Sequence, residues 1–202
     1  MIDEKVCVTL YDFFRDSVKL HPNRVAVLYD DGTTTEQISY QKVLEQAEKI
    51  ASGLPVTTES EIIGLYCRQF AGLPACILGV LHAGSAFAPI DLNLPPRLIV
   101  EFLTKLHIRF VVVDLELASA FQKVLSAFPI HHGSQFQDNP ELLQPGFCLV
   151  KIYPYFEYAR CGIPTGNPYQ FAYVMQTSGT TGGPKTVMAP HKCIVPNIVS
   201  LR

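Results

Sequence analysis

The chain has 202 residues, 48% of them apolar and only 17% charged, with a formal net charge of −2. Average soluble domains carry about 25% charged residues, so this composition excludes a disordered chain and leaves more apolar surface than one small domain must hide. Its few Lys and Arg are not clustered, which excludes phosphate-backbone binding to nucleic acid as the main activity.

From the amino terminus, Asp3, Glu4 and Lys5 stand where a signal peptide would begin its apolar run. Thr9 followed by Asp12 predicts a capped amphipathic helix, with Leu10, Phe13, Phe14 and Ser17 on one face and His21-Pro22 as its stop. Arg24 to Tyr29, the turn signal Asp30-Asp31-Gly32 and a Thr-rich run after it read as a β-hairpin. Ser39 caps a second helix, which carries Val43, Leu44, Ala47, Ile50, Ala51 and Leu54 at helical spacing and Gly53 near its end. Strands at Ile62 to Cys67, Phe87 to Ile90 and Arg109 to Asp114 then alternate with helices at Pro74 to His82, after Pro95-Pro96, and at Leu117 to Leu125. That rhythm predicts an α/β fold, a mostly parallel sheet flanked by helices.

Phe70 to Ile90 holds no Asp, Glu, Lys or Arg over 21 residues, long enough to cross a bilayer. Gly72, Pro74, Gly79, Gly84 and Pro89 divide it into a helix and a short strand, so no membrane span is predicted. Residues from about 129 to 168 are rich in Pro, Gly, His and Asn and read as a long connection with one strand near Cys148 to Tyr153. The six cysteines form no C-x-x-C pair, which excludes a zinc ribbon and that redox motif. Scattered thiols without a leader segment fit a reduced, cytoplasmic protein, each thiol acting as a small buried hydrophobe.

Phe171 to Thr177 is an apolar strand that enters Ser178-Gly179-Thr180-Thr181-Gly182-Gly183-Pro184-Lys185, and Thr186 to Pro190 reads as another short strand before a helix from about Lys192. Three glycines, three hydroxyls and a lysine in eight positions after a strand is the composition of a phosphate-cradling loop. Glycine lets backbone N–H groups approach anionic oxygens, hydroxyls add donors, and the lysine brings a full charge. A flexible surface turn accounts for the glycines but not for the lysine and proline. A Walker A loop shares the spacing of Gly179 and Lys185-Thr186. However, Pro184 replaces its second glycine, and the following residues read as a strand, not as the helix such a loop must feed.

Tyr173 to Lys185 resembles the phosphate-loop signature of the adenylate-forming superfamily, which comprises acyl-CoA synthetases, nonribosomal peptide synthetase adenylation domains and luciferases. Ile38 to Val43 is similar to that family's first core motif and Leu81 to Asp91 to its second, and His191 and Asn197 fit its residues after the loop. Thr186 departs from the glycine usual after the loop lysine; its side chain adds a hydroxyl donor or crowds the loop. The resemblance implies the amino-terminal part of the family's large domain. It also implies that residues 1–202 are a partial AMP-binding domain that stops after the phosphate loop, with the carboxyl-terminal lid domain and its catalytic lysine expected outside it.

The resemblance further implies an ATP-dependent acid–thiol ligase that activates a carboxylate, beta-alanine or another amino or fatty acid, as acyl-AMP. The acyl group then passes to CoA or to a phosphopantetheine thiol on a carrier protein. Thr177, Ser178, Thr180 and Thr181 would donate to the β- and γ-phosphates along the backbone of Gly179, Gly182, Gly183 and Pro184. Lys185 would supply the cation beside Mg²⁺, Thr186 would close the loop, and His191 would lie near the carboxylate pocket or cap the next helix. Two other classes stay open: a non-catalytic truncated isoform that binds nucleotide weakly or pairs with a partner, and a Walker-type phosphotransferase. The apolar excess is expected to form an interface with the family's remaining segments.

Overall fold

The computed structural model describes residues 9–55, 61–126, 146–152, 171–177 and 185–200. Most of the long connection, and residues 178–184 of the loop, lie outside the described residues.

Helix α1 (Leu10–Leu20) opens with a capping box in which Thr9 and Asp12 each bond the other's backbone, and its chain leaves at His21. Its buried residues are Tyr11 and Val18, seven positions apart, whereas Leu10, Phe13, Phe14 and Ser17 of the predicted face are only half-buried. The reason is tertiary. Tyr11 stacks on His82 at 4.2 Å between ring centroids, which rolls the helix about its axis relative to the sequence pattern. Strands β1 (Val25–Asp30) and β2 (Thr35–Ser39) pair antiparallel as the predicted hairpin. The Asp31 carboxylate accepts bonds from Thr33 and Thr34 across the turn. Those bonds, the Thr33 hydroxyl first, hold its carboxyl well below the usual range. Ser39 caps α2 (Tyr40–Gly53) through the Lys42 N–H.

Then come β3 (Ile62–Tyr66), α3 (Leu73–His82), β4 (Ala86–Pro89), α4 (Pro96–Lys105), β5 (Phe110–Asp114), a short 3-10 turn, α5 (Ala118–Leu125), β6 (Phe147–Lys151), β7 (Phe171–Thr177), β8 (Lys185–Pro190) and α6 (His191–Ser200). The uncharged stretch from Phe70 to Ile90 is therefore α3 and β4, and among the described residues no helix is long and apolar enough to cross a membrane. The main sheet has the order β6-β5-β3-β4-β7-β8. Strands β5, β3, β4 and β7 are parallel, as the alternation predicted, but β6 and β8 run antiparallel at the two edges. For β8 the cause is connection length. Lys185 comes only eight positions after Thr177, too short a link for the crossover that a parallel neighbour requires.

The sheet is buried on both faces. Helices α4 and α5 cover one, where Ala88, Val111, Val113, Val150 and Val174 meet Ile99, Leu103 and Phe121. Helices α2 and α3 cover the other, around Ile63, Leu65, Val112, Ile50 and Val80. Sandwiching of this kind explains why β3 and β5 read as unbroken apolar runs. At the amino edge, an ion pair between Arg109 and buried Glu61 closes the sheet.

Candidate functional site

The parallel strands deliver their carboxyl ends to one edge: Asp114 ends β5, Cys67 and Arg68 follow β3, Ile90 and Asp91 follow β4, and Thr177 ends β7. From that edge β3 feeds α3 on one face while β4 feeds α4 on the other. Such a reversal opens a crevice, and open α/β sheets bind their ligands outside the carboxyl ends of strands at such a point. The glycine-rich segment leaves β7, the strand paired with β4 through Phe87 and Tyr173, so both its ends stand at this edge.

Thr177 and Lys185 are paired across the β7–β8 hairpin, and the Thr177 hydroxyl donates to the Lys185 carbonyl at 3.4 Å. Both side chains are exposed, and Lys185 makes no ion pair among the described residues. Lys185 begins a strand, not a helix. This removes the Walker A reading, whose phosphates sit on the N-terminus of a helix that starts at the lysine. The Thr186 hydroxyl oxygen is buried without a hydrogen-bond partner among the described residues. Ser178, Gly179, Thr180, Thr181, Gly182, Gly183 and Pro184 lie outside the described residues.

His191 is the first residue of α6, one position before the predicted start, and is 3% exposed. Its Nδ1 accepts the backbone N–H of Leu10 at 3.1 Å, which ties the start of α6 to the start of α1. Burial holds its pKa below the ordinary 6.5, opposed by the Asp12 carboxylate. An imidazole that accepts an N–H must be neutral at that nitrogen.

Between α4 and the ends of β4 and β7 lies a cavity of about 650 Å³, within the size range of small-molecule sites. Ile90, Ile99, Phe102 and Met175 line its body, and Asp91, Lys105, Gln176 and Thr177 supply polar groups. Arg68 at the same edge was not singled out by the sequence. Its Nε donates to Asp114 Oδ2 at 2.8 Å and its Nη1 contacts Glu116 Oε2 at 2.7 Å, and these partners push its pKa up. The only sequence signal was a charge at the end of an apolar strand. Among the described residues no group of three or more His, Cys, Asp or Glu side chains could hold a metal ion.

Residues 14–202 match the family of AMP-binding enzymes. The chain is 29% identical over 202 residues to the Beta-alanine-activating enzyme of Danio rerio, covering 96% of this chain and 17% of that relative. It is 27% identical over 191 residues to Gramicidin S synthase 1 of Brevibacillus brevis, covering 92% of this chain and 15% of that one. The chain thus spans less than a fifth of the length of these curated relatives. Among solved structures it is similar to the fatty acyl-adenylate ligase from L. pneumophila, solved in complex with acyl adenylate and pyrophosphate. The TM-score is 0.65 at 18% identity, and the match covers 97% of this chain and 32% of that one.

Proposed function

The chain belongs to the family of AMP-binding enzymes, and on that premise we propose that it is the amino-terminal part of an ATP-dependent acid–thiol ligase, with residues 177–186 as its triphosphate site. The observation that carries this reading is the position of the β7–β8 hairpin. It presents an exposed lysine, without an ion pair among the described residues, and the two ends of a glycine-rich segment at the carboxyl edge beside the crevice. Two anionic reactants must meet there while negative charge moves onto pyrophosphate, so positioning and fixed positive charge do most of the work.

In this reading Lys185 holds the β- and γ-phosphates electrostatically, joined by the hydroxyls of Thr177, Ser178, Thr180 and Thr181 and by backbone N–H groups from Gly179 to Gly183, with Pro184 shaping the loop before the lysine. These are the groups a triphosphate requires, and Mg²⁺, when bound with ATP, offsets the remaining phosphate charge. His191, occupied by the Leu10 N–H, keeps α6 in place behind the hairpin. The acid is a small carboxylic or amino acid, beta-alanine among the candidates, and the acyl acceptor is CoA or a carrier-protein phosphopantetheine. Adenine recognition and the lid lysine come from family segments other than residues 1–202, so this chain alone binds without turning over.

Calorimetric titration with ATP, pyrophosphate and AMP tests the reading. A β,γ-phosphate site binds ATP and pyrophosphate in competition and leaves AMP unbound. AMP binding as tightly as ATP, or acid-driven pyrophosphate exchange by the 202 residues alone, would contradict it.

A further inference from the structure

An α-helix leaves its first four N–H groups without partners inside it, and α1 satisfies two of them from different directions. The Asp12 N–H goes to Thr9 Oγ1 at 3.1 Å, whereas the Leu10 N–H leaves the helix for His191 Nδ1, also at 3.1 Å. The next residue, Tyr11, is buried and stacks on the ring of His82 from α3, and Arg15 lies 5.9 Å from its centroid. Two imidazoles from separate elements therefore hold one helical turn. Tyr11 packs there with buried Leu81 and Ala172, and Leu10, Tyr173 and Ile194 border the cluster.

We propose that His191 is a proton-operated latch: a proton taken up at Nδ1 breaks the bond to Leu10, and α1 lifts away from α3 and α6 while the six-stranded sheet stays folded. Geometry dictates the direction. With Nδ1 accepting, the single proton of the neutral ring is on Nε2, so further protonation sets a donor against the Leu10 N–H. The imidazolium also stands at the N-terminus of α1 and at that of α6, which His191 begins, and both helix dipoles disfavour a cation there.

The charged and titratable groups that meet this turn are Asp12 and Arg15 of α1, Glu48 of α2, which acts on Tyr11, His82 of α3, and Lys192, the next residue of α6. Burial keeps the proton off His191, and the Asp12 carboxylate opposes that effect. The latch is closed above the ordinary value of 6.5. Below it, each pH unit down to the folded pKa shifts the latch toward open by up to about tenfold. Release bares the cluster around Leu81 and Ala172, an apolar surface that stays covered at neutral pH.

Hydrogen exchange of the full chain at about pH 7.5 and about pH 5, corrected for the intrinsic effect of pH, tests this. In the wild type, peptides over Leu10–Leu20 are expected to lose protection on acidification, by no more than about tenfold per pH unit, with β3 and β5 unchanged. His191→Gln, whose side-chain oxygen accepts the N–H without titrating, is expected to keep α1 protected at both values, and His82→Gln to show the wild-type response. Equal protection of α1 at both values in the wild type, loss that spreads to β3 and β5, an acid response that survives His191→Gln, or one that vanishes in His82→Gln overturns the latch. The wild-type and His82→Gln maps decide this even if His191→Gln does not fold.

Discussion

Lys185 and His191 are six positions apart, and the fold gives them opposite surroundings: one exposed, the other 3% exposed and hydrogen-bonded. A charge-assisted hydrogen bond contributes about 1.5–3 kcal/mol, and each ~1.4 kcal/mol is tenfold in affinity. Lys185→Ala is therefore expected to weaken ATP binding about tenfold or more, read by calorimetry, with the unfolding midpoint unchanged. His191 should act on stability. Its folded pKa is lowered, so its contribution is whole above the ordinary value of 6.5 and is lost as pH falls from there toward the folded pKa. His191→Leu should remove that pH dependence and, by orphaning the Leu10 N–H, cost about 1–3 kcal/mol; urea unfolding on both sides of pH 6.5 measures both effects. Lys185 was legible in the sequence because strand, glycines, hydroxyls and lysine are contiguous. The partner of His191 was not, since Leu10 lies 181 positions away.

The elements themselves followed the sequence closely, since their signals are local: Thr9 and Ser39 as caps, Asp31 folding the hairpin turn, Pro96 opening α4. What local signals could not supply was how elements face one another, as the rolled face of α1 and the antiparallel β8 show. Helices α2 and α3 cross at Gly79, where an added Cβ would come within 2.8 Å of the Ala47 carbonyl oxygen and of Ile50 Cβ. Backbone oxygen cannot yield as a flexible side-chain tip would. Gly79→Ala is expected to cost about 1–3 kcal/mol through this overpacking, although alanine is the better helix former. Thermal unfolding of the variant would show it as a lowered midpoint.

On the scale of the whole molecule, the composition's apolar excess has a location. Leu20, Val25 and Leu28 are exposed around α1 and the small hairpin, and Met175 and Val187, cross-strand partners, are exposed on β7 and β8. Strand β8 is also a sheet edge, and open edges with apolar side chains invite association. Val187→Lys should raise the monomer fraction in sedimentation velocity while leaving the circular dichroism spectrum unchanged. Class and rhythm of the fold were legible because helix and strand periods alternate along the chain. Strand order and the crevice were not, since they depend on contacts between distant segments. The central claim is that this edge, through the hairpin that leaves β7, holds a triphosphate. Hydrogen exchange with and without ATP and Mg²⁺ tests it most directly: the account predicts slowed exchange in peptides spanning Thr177 to Thr186, with α1 and the β1–β2 hairpin unchanged. Unchanged exchange across that span at saturating ATP, or slowing confined to α1 and the small hairpin, would contradict it.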